Sequence, residues 1–162
     1  VYKRQGYGRN ALRIETMKTD LEYLKEAIRQ SRRCVLTCSA YCVGAVVVLP
    51  SGRSYTGYTH ETGSANHAEE EAIAKALAAG EDLRGATMYS SMEPCSLRKS
   101  KPESCTELIL RYGFSKVVFA LKEPPCFVEC HGEELLRKAG VDVVVLPGEA
   151  AEVREINRHI CG

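Results

Sequence analysis

Two hydrophobic periods alternate along the chain. Leu21, Leu24 and Ile28 fall on one face at helical spacing, and Asp20 stands where a cap belongs, so an amphipathic helix is predicted from Asp20 onward. The continuous apolar run "VGAVVVLP" (43–50) has strand length, Ser51-Gly52 is a turn, and "RSYTGY" (53–58) returns as a second strand, together a hairpin. Helical spacing resumes in "NHAEEEAIAKA" (66–76), runs through Ala79 and stops at Gly80. Further along, 86–91, 116–121 and 141–147 read as strands, and 105–113, 132–140 and 149–160 as helices. Helices alternating with short buried strands predict a three-layer α/β/α sandwich around a five-stranded mixed sheet. A whole helix fits between the fourth and fifth strands, as a parallel crossover requires, so those two strands should run parallel.

Composition narrows the classes. A chain of 162 residues is the size of one ordinary domain. A net charge of +1 favours neither a protein that coats nucleic acid nor one that lies on a membrane. No apolar run approaches bilayer length and no signal-peptide pattern opens the chain, so a cytoplasmic location is expected. There the eight cysteines stay mostly reduced, and some are open to metal ligation. Residues 1–16 set Lys3, Arg4, Arg9 and Arg13 against Glu15 alone and show no apolar period. They read as a disordered leader or an expression remnant rather than a basic nucleic-acid arm, with 17–162 as the folded domain.

A solvated helix face accounts for Glu70, Glu71 and Lys75 but not for His67 two positions before Glu69. The stretch "SSMEPCSLRKSKPESC" (90–105) supplies what the pair lacks. Cys95 follows Pro94 just past the end of the third strand, and Cys105 opens the next helix. A catalytic zinc takes three protein ligands and keeps a fourth position for water, and His67, Cys95 and Cys105 supply that number. Helix N-termini favour thiolates, which suits both cysteines. Glu69 then stands beside the metal without binding it, the position of a general acid/base.

His67-Ala68-Glu69, followed by Glu93-Pro94-Cys95 and then Cys105, resembles the signature of the zinc nucleobase deaminases, whose cytidine deaminase-like fold is the α/β/α sandwich already expected. "SAYCVGAVVV", "TGYTHETGSANHAEEEAI", "SSMEPCS" and "VVFALKEP" narrow the resemblance, over about residues 19–147, to the riboflavin-pathway diaminohydroxyphosphoribosylaminopyrimidine deaminases. The long interval between the cysteines fits that group, whereas cytidylate and transfer-RNA deaminases typically have two residues there. The resemblance implies zinc-dependent removal of the 2-amino group from a diaminopyrimidinone 5'-phosphate and a homo-oligomer, a homodimer in its simplest form. Many members are fused to a reductase domain, which is not expected in this chain. Bacterial members carry Asn-Pro before their first Val-Gly, where this chain reads Ala40-Tyr41-Cys42. Two other readings stand beside this one. A cytosine deaminase acting on nucleotides or single-stranded nucleic acid is held open by residues 1–16, and a non-catalytic zinc-binding domain is disfavoured by Glu69.

For substrate, Arg98, Lys99 and Lys101 lie between the two cysteines, where cations can receive a phosphate, or else form a solvated basic loop. Asn66 is a base or ribose ligand or a helix cap, and Ser91 and Met92 offer backbone groups to the ring. Tyr58 and His60 are candidates for the rim. Cys34, Cys38 and Cys42 share a face only if their segment is helical, which Val43-Gly44 opposes. Cys126, Cys130 and His131 form a second set of potential ligands, more simply read as small buried side chains. His159 most simply complements the dipole of the last helix.

Overall fold

The structure, a computed structural model, describes residues 18–161. The leader expected at 1–16 therefore lies outside the described residues. Helix α1 (Asp20–Ser31) is followed by strands β1 (Gly44–Val48) and β2 (Ser54–Tyr58), helix α2 (Ala68–Ala78), β3 (Thr87–Met92), α3 (Cys105–Arg111), β4 (Lys116–Leu121), α4 (Gly132–Lys138) and β5 (Asp142–Val145). A 3-10 turn (Pro147–Glu149) leads to α5 (Ala150–Ile156) and α6 (Arg158–Cys161). No helix among the described residues is long and apolar enough to cross a membrane.

The five strands form one sheet in the order β2-β1-β3-β4-β5. β1 pairs antiparallel with β2, as the hairpin required, and antiparallel with β3. β3–β4 and β4–β5 are parallel, so the expected crossover is present and a second one precedes it. The apolar strand runs lack polar alternation because both faces are covered. Ala45, Val47, Val117 and Phe119 pack beneath α2, α3 and α4, while Val46, Val118 and Ala120 pack beneath α1 and α5. That is the predicted three-layer sandwich.

Two local departures have physical causes. Thr19 rather than Asp20 caps α1, its Oγ1 accepting from Glu22 N at 3.2 Å. Asp20 instead accepts from Tyr89 Oη at 2.6 Å and from Lys116 Nζ at 2.6 Å, tying the helix start to β3 and β4. The single helix expected over 149–160 is two, because Asn157 ends α5 with its side chain turned inward. A close approach fixes how α2 lies on the sheet. A Cβ on Gly57 would fall 2.4 Å from Ala68 O and 2.6 Å from Ala72 N, so only glycine lets the first turns of α2 rest on β2.

Candidate active site

His67 is the N-cap of α2, one residue beyond Asn66, the residue whose alternative reading is a helix cap. The Glu70 carboxylate accepts the His67 N–H at 2.9 Å, which fixes the backbone that carries the imidazole. Cys105 is the first residue of α3, whose cap Ser104 accepts from Glu107 N at 3.1 Å. Its own N–H points at Cys95 Sγ, 3.3 Å away. These two helix starts and the chain leaving β3 bring three donors together: His67 Nδ1 lies 3.5 Å from Cys95 Sγ and 3.5 Å from Cys105 Sγ.

The spacing fits a tetrahedral zinc. Bonds of roughly 2.3 Å to sulfur and 2.0–2.1 Å to nitrogen at the tetrahedral angle separate the two donors by about 3.5 Å. The donor chemistry agrees. Cys95 and Cys105 are buried, and without a cation they share one negative charge: a hydrogen bond from the Cys105 thiol holds Cys95 down to about 4, and the same contact pushes Cys105 well up. Burial opposes protonation of His67, but contact with Cys95 outweighs it and raises the imidazole. A dication would release the remaining thiol proton and complete the set. Among the described residues this is the only group of three such donors. Cys126, Cys130 and His131 form no second one among the described residues. Nor do Cys34, Cys38 and Cys42 share a helix face, since their segment is irregular.

Glu69 lines the cleft that opens on these donors and is 3% exposed. Burial, and then the charge of Cys95, raise its carboxyl above the ordinary carboxylate range. Ser90 Oγ donates to Glu69 Oε1 at 3.0 Å and holds that oxygen in place. A proton-accepting group with a raised affinity beside a metal-activated water is the arrangement general acid/base catalysis needs.

The other residues singled out in the sequence divide. Arg98 and Lys99 line the cleft, whereas Asn66, Ser91 and Lys101 do not. Arg98, with a side chain only 4% exposed, donates to Glu70 Oε1 at 2.5 Å and to Ala65 O at 2.5 Å. Lys101 donates to Glu70 Oε2 at 2.9 Å and to Asn66 Oδ1 at 2.6 Å. Asn66 also donates to Glu71 Oε1 at 2.9 Å. Ser91 Oγ accepts from Gly44 N at 3.1 Å and holds the start of β1. Lys99 is exposed and forms no ion pair among the described residues. Tyr58 lies under the Arg33 guanidinium, and Thr59, between Tyr58 and His60, lines the cleft in their stead. His159 has both ring nitrogens buried with no hydrogen-bond partner among the described residues.

Sequence reasoning missed much of the wall: Tyr41, Phe127, Val128 and Glu123. Burial pushes Glu123 up to about 7. It missed Glu93 too, whose buried carboxylate accepts from Glu123 N at 3.3 Å and from Glu133 N at 3.0 Å, tying the strand before Cys95 to the start of α4. The only signal was that Tyr41, Glu93 and Glu123 lie in the stretches "SAYCVGAVVV", "SSMEPCS" and "VVFALKEP".

Residues 17–121 match the family described as the cytidine and deoxycytidylate deaminase zinc-binding region. The chain is 47% identical over 125 residues to the diaminohydroxyphosphoribosylamino-pyrimidine deaminase of Schizosaccharomyces pombe, an alignment covering 76% of this chain and 31% of that protein. It is 39% identical over 139 residues to the riboflavin biosynthesis protein RibD of Aquifex aeolicus, covering 84% of this chain and 38% of that one. The chain thus spans about a third of the length of these curated relatives. Among solved structures, the deaminase/reductase of Thermotoga maritima superposes with a TM-score of 0.76 at 33% identity, covering 86% of this chain and 39% of that one. The Aspergillus oryzae Rib2 deaminase in complex with DARIPP superposes with a TM-score of 0.72 at 27% identity, covering 85% and 89%.

Proposed function

We infer that this chain, because it belongs to the cytidine and deoxycytidylate deaminase zinc-binding family, is a hydrolytic deaminase acting on the diaminopyrimidinone 5'-phosphate of riboflavin synthesis. The observation that carries the reaction class is Glu69, a buried carboxylate in the cleft that contains His67 and Cys95, beside the donor set but not one of its three members. The relatives named for this deamination support the substrate.

His67, Cys95 and Cys105 would hold the zinc. When bound, zinc supplies a nucleophile at neutral pH by lowering the pKa of a coordinated water from 15.7 to about 7. Glu69 would take one proton of the attacking water and pass it to the ring nitrogen next to the carbon that bears the amine. It would then take the second proton of the water from the hydroxyl now on that carbon and deliver it to the departing amine, so that the water oxygen ends as the ring carbonyl and the amine leaves as ammonia. Ser90 keeps one Glu69 oxygen fixed through both transfers.

Charge in the 96–104 loop supports a phosphate. Arg98 and Lys101 share the one carboxylate of Glu70 and so keep one net positive charge, and Lys99 adds a second at the cleft. In this reading Asn66 and Ser91 act by holding the loop and β1 from behind. A cytoplasmic, homo-oligomeric enzyme belongs to the same proposal, with exposed Val35 and Leu36 as apolar surface that supports self-association.

The test is ammonia release, with zinc loaded, from 2,5-diamino-6-ribosylamino- or ribitylamino-pyrimidinone 5'-phosphate, against cytidine, deoxycytidylate and a cytosine-containing single-stranded oligonucleotide. Turnover of the diaminopyrimidine alone is expected. Deamination of cytosine with the diaminopyrimidine left intact would overturn the substrate while leaving the reaction class standing.

A further inference from the structure

We propose that Asn157 is a positioning residue for substrate: by clamping both backbone groups of Cys42, it sets the wall that Ser39, Ala40 and Tyr41 contribute to the cleft. Asn157 is 6% exposed. Its Oδ1 accepts from Cys42 N at 2.7 Å, and its Nδ2 donates to Cys42 O at 3.1 Å and to Val153 O at 3.0 Å. Nδ2 also reaches Met92 Sδ at 3.8 Å, and Met92 lines the cleft. One amide therefore touches two cleft-lining stretches.

The clamp answers a need of the chain before β1. From Arg32 to Val43 there is neither helix nor strand, so no ladder satisfies the backbone there, and buried Cys42 must find its partners elsewhere. Asn157 supplies both, across 115 positions in sequence. The neighbours on either side are pinned as well. Val43 N donates to Thr59 Oγ1 at 3.0 Å, and Tyr41 Oη donates to Pro124 O at 2.9 Å. With Cys42 held, Tyr41 keeps its edge contact with Phe127, ring centroids 5.2 Å apart, across the cleft wall. Asparagine is an expensive choice merely to end a helix, since its amide sits among the apolar side chains under α5 and has to be fully paired there. The pairing it finds is with the wall.

Because the wall contacts substrate and not the reacting atoms, its displacement should appear in KM. This rests on the aminopyrimidine reading above. Wild-type enzyme that fails to deaminate the diaminopyrimidine phosphate would sink that reading, and the Asn157 variants are judged only against a wild type that turns over. Asn157→Leu leaves both Cys42 groups unpaired, and Asn157→Asp keeps the acceptor but loses the donor. KM should rise about tenfold in the first and about threefold in the second, with kcat within about threefold of wild type and zinc content unchanged. Amide hydrogen exchange over residues 39–43 should speed up in both. An unchanged KM in a folded variant, a loss of zinc, or failure of both variants to fold would overturn the assignment, the last by making Asn157 a residue of global stability.

Discussion

Replacing Glu69 by glutamine separates proton transfer from everything else the side chain does. The amide has the shape of the carboxylate, and its oxygen can still accept from Ser90 Oγ, now at 3.0 Å, so neither β3 nor α2 need move. What disappears is the capacity to take a proton from water, and loss of a general acid/base lowers turnover by about 10²- to 10⁴-fold. Stability should move the other way. Burial raises the Glu69 carboxyl in the metal-free fold, so its charged form opposes folding, and the contribution present below the unfolded pKa is lost as pH rises through the folded one. At neutral pH the metal-free Glu69→Gln protein should therefore be at least as stable as metal-free wild type, with the difference closing on acidification. The assays are steady-state ammonia release, zinc analysis and denaturant titration at two pH values. Turnover within a few-fold of wild type would remove Glu69 from the mechanism, and loss of zinc would make it a ligand.

Cys105→Ser should reduce zinc from about one per chain to about a tenth or less after dialysis, since it removes one of the three protein donors; full zinc by elemental analysis would remove Cys105 from the donor set. Lys99→Ala should lower the preference for the phosphorylated over the dephosphorylated substrate by about one to two orders of magnitude while leaving the melting temperature unchanged. Arg98→Ala should lower that temperature, because it strips Ala65 O and Glu70 of a buried charged partner worth about 1.5–3 kcal/mol; the opposite pattern would reverse the two roles. Gly57→Ala should destabilise by about 1–3 kcal/mol in denaturant, as its Cβ meets the backbone of α2, and an unchanged midpoint would show that the helix can lift at no cost.

The cluster of His67, Cys95 and Cys105 was legible because each member sits at an element boundary that local spacing reveals: His67 before a helical period, Cys95 after a strand, Cys105 at the next helix start. The layers were legible because apolar runs too continuous for a one-sided sheet imply cover on both faces. Strand order was not, since nothing local tells β3 to insert between β1 and β4. The fate of the basic loop was hidden for a similar reason. Whether Arg98 meets substrate or Glu70 depends on the path of the 96–104 segment, and spacing from Cys95 gives no direction. Asn66 looked like a cap because asparagine commonly is one, but its amide was drawn away by Glu71 and Lys101. The Asn157 clamp on Cys42 joins residues so far apart that only the folded sheet brings them together.

The sheet separates two kinds of freedom to change. His67, Cys95, Cys105 and Glu69 belong to the α2 and α3 side, while Tyr41 and Met92 pack with α1 and α5 on the other. A substitution on the second side can reshape what the cleft admits without shifting a donor atom, whereas one on the first risks the chemistry itself. Under the proposed function, selection for a different substrate would accumulate changes around residues 39–43 and in the C-terminal helices and spare His67, Glu69, Cys95 and Cys105, so that one reaction passes intact to descendants that act on different compounds.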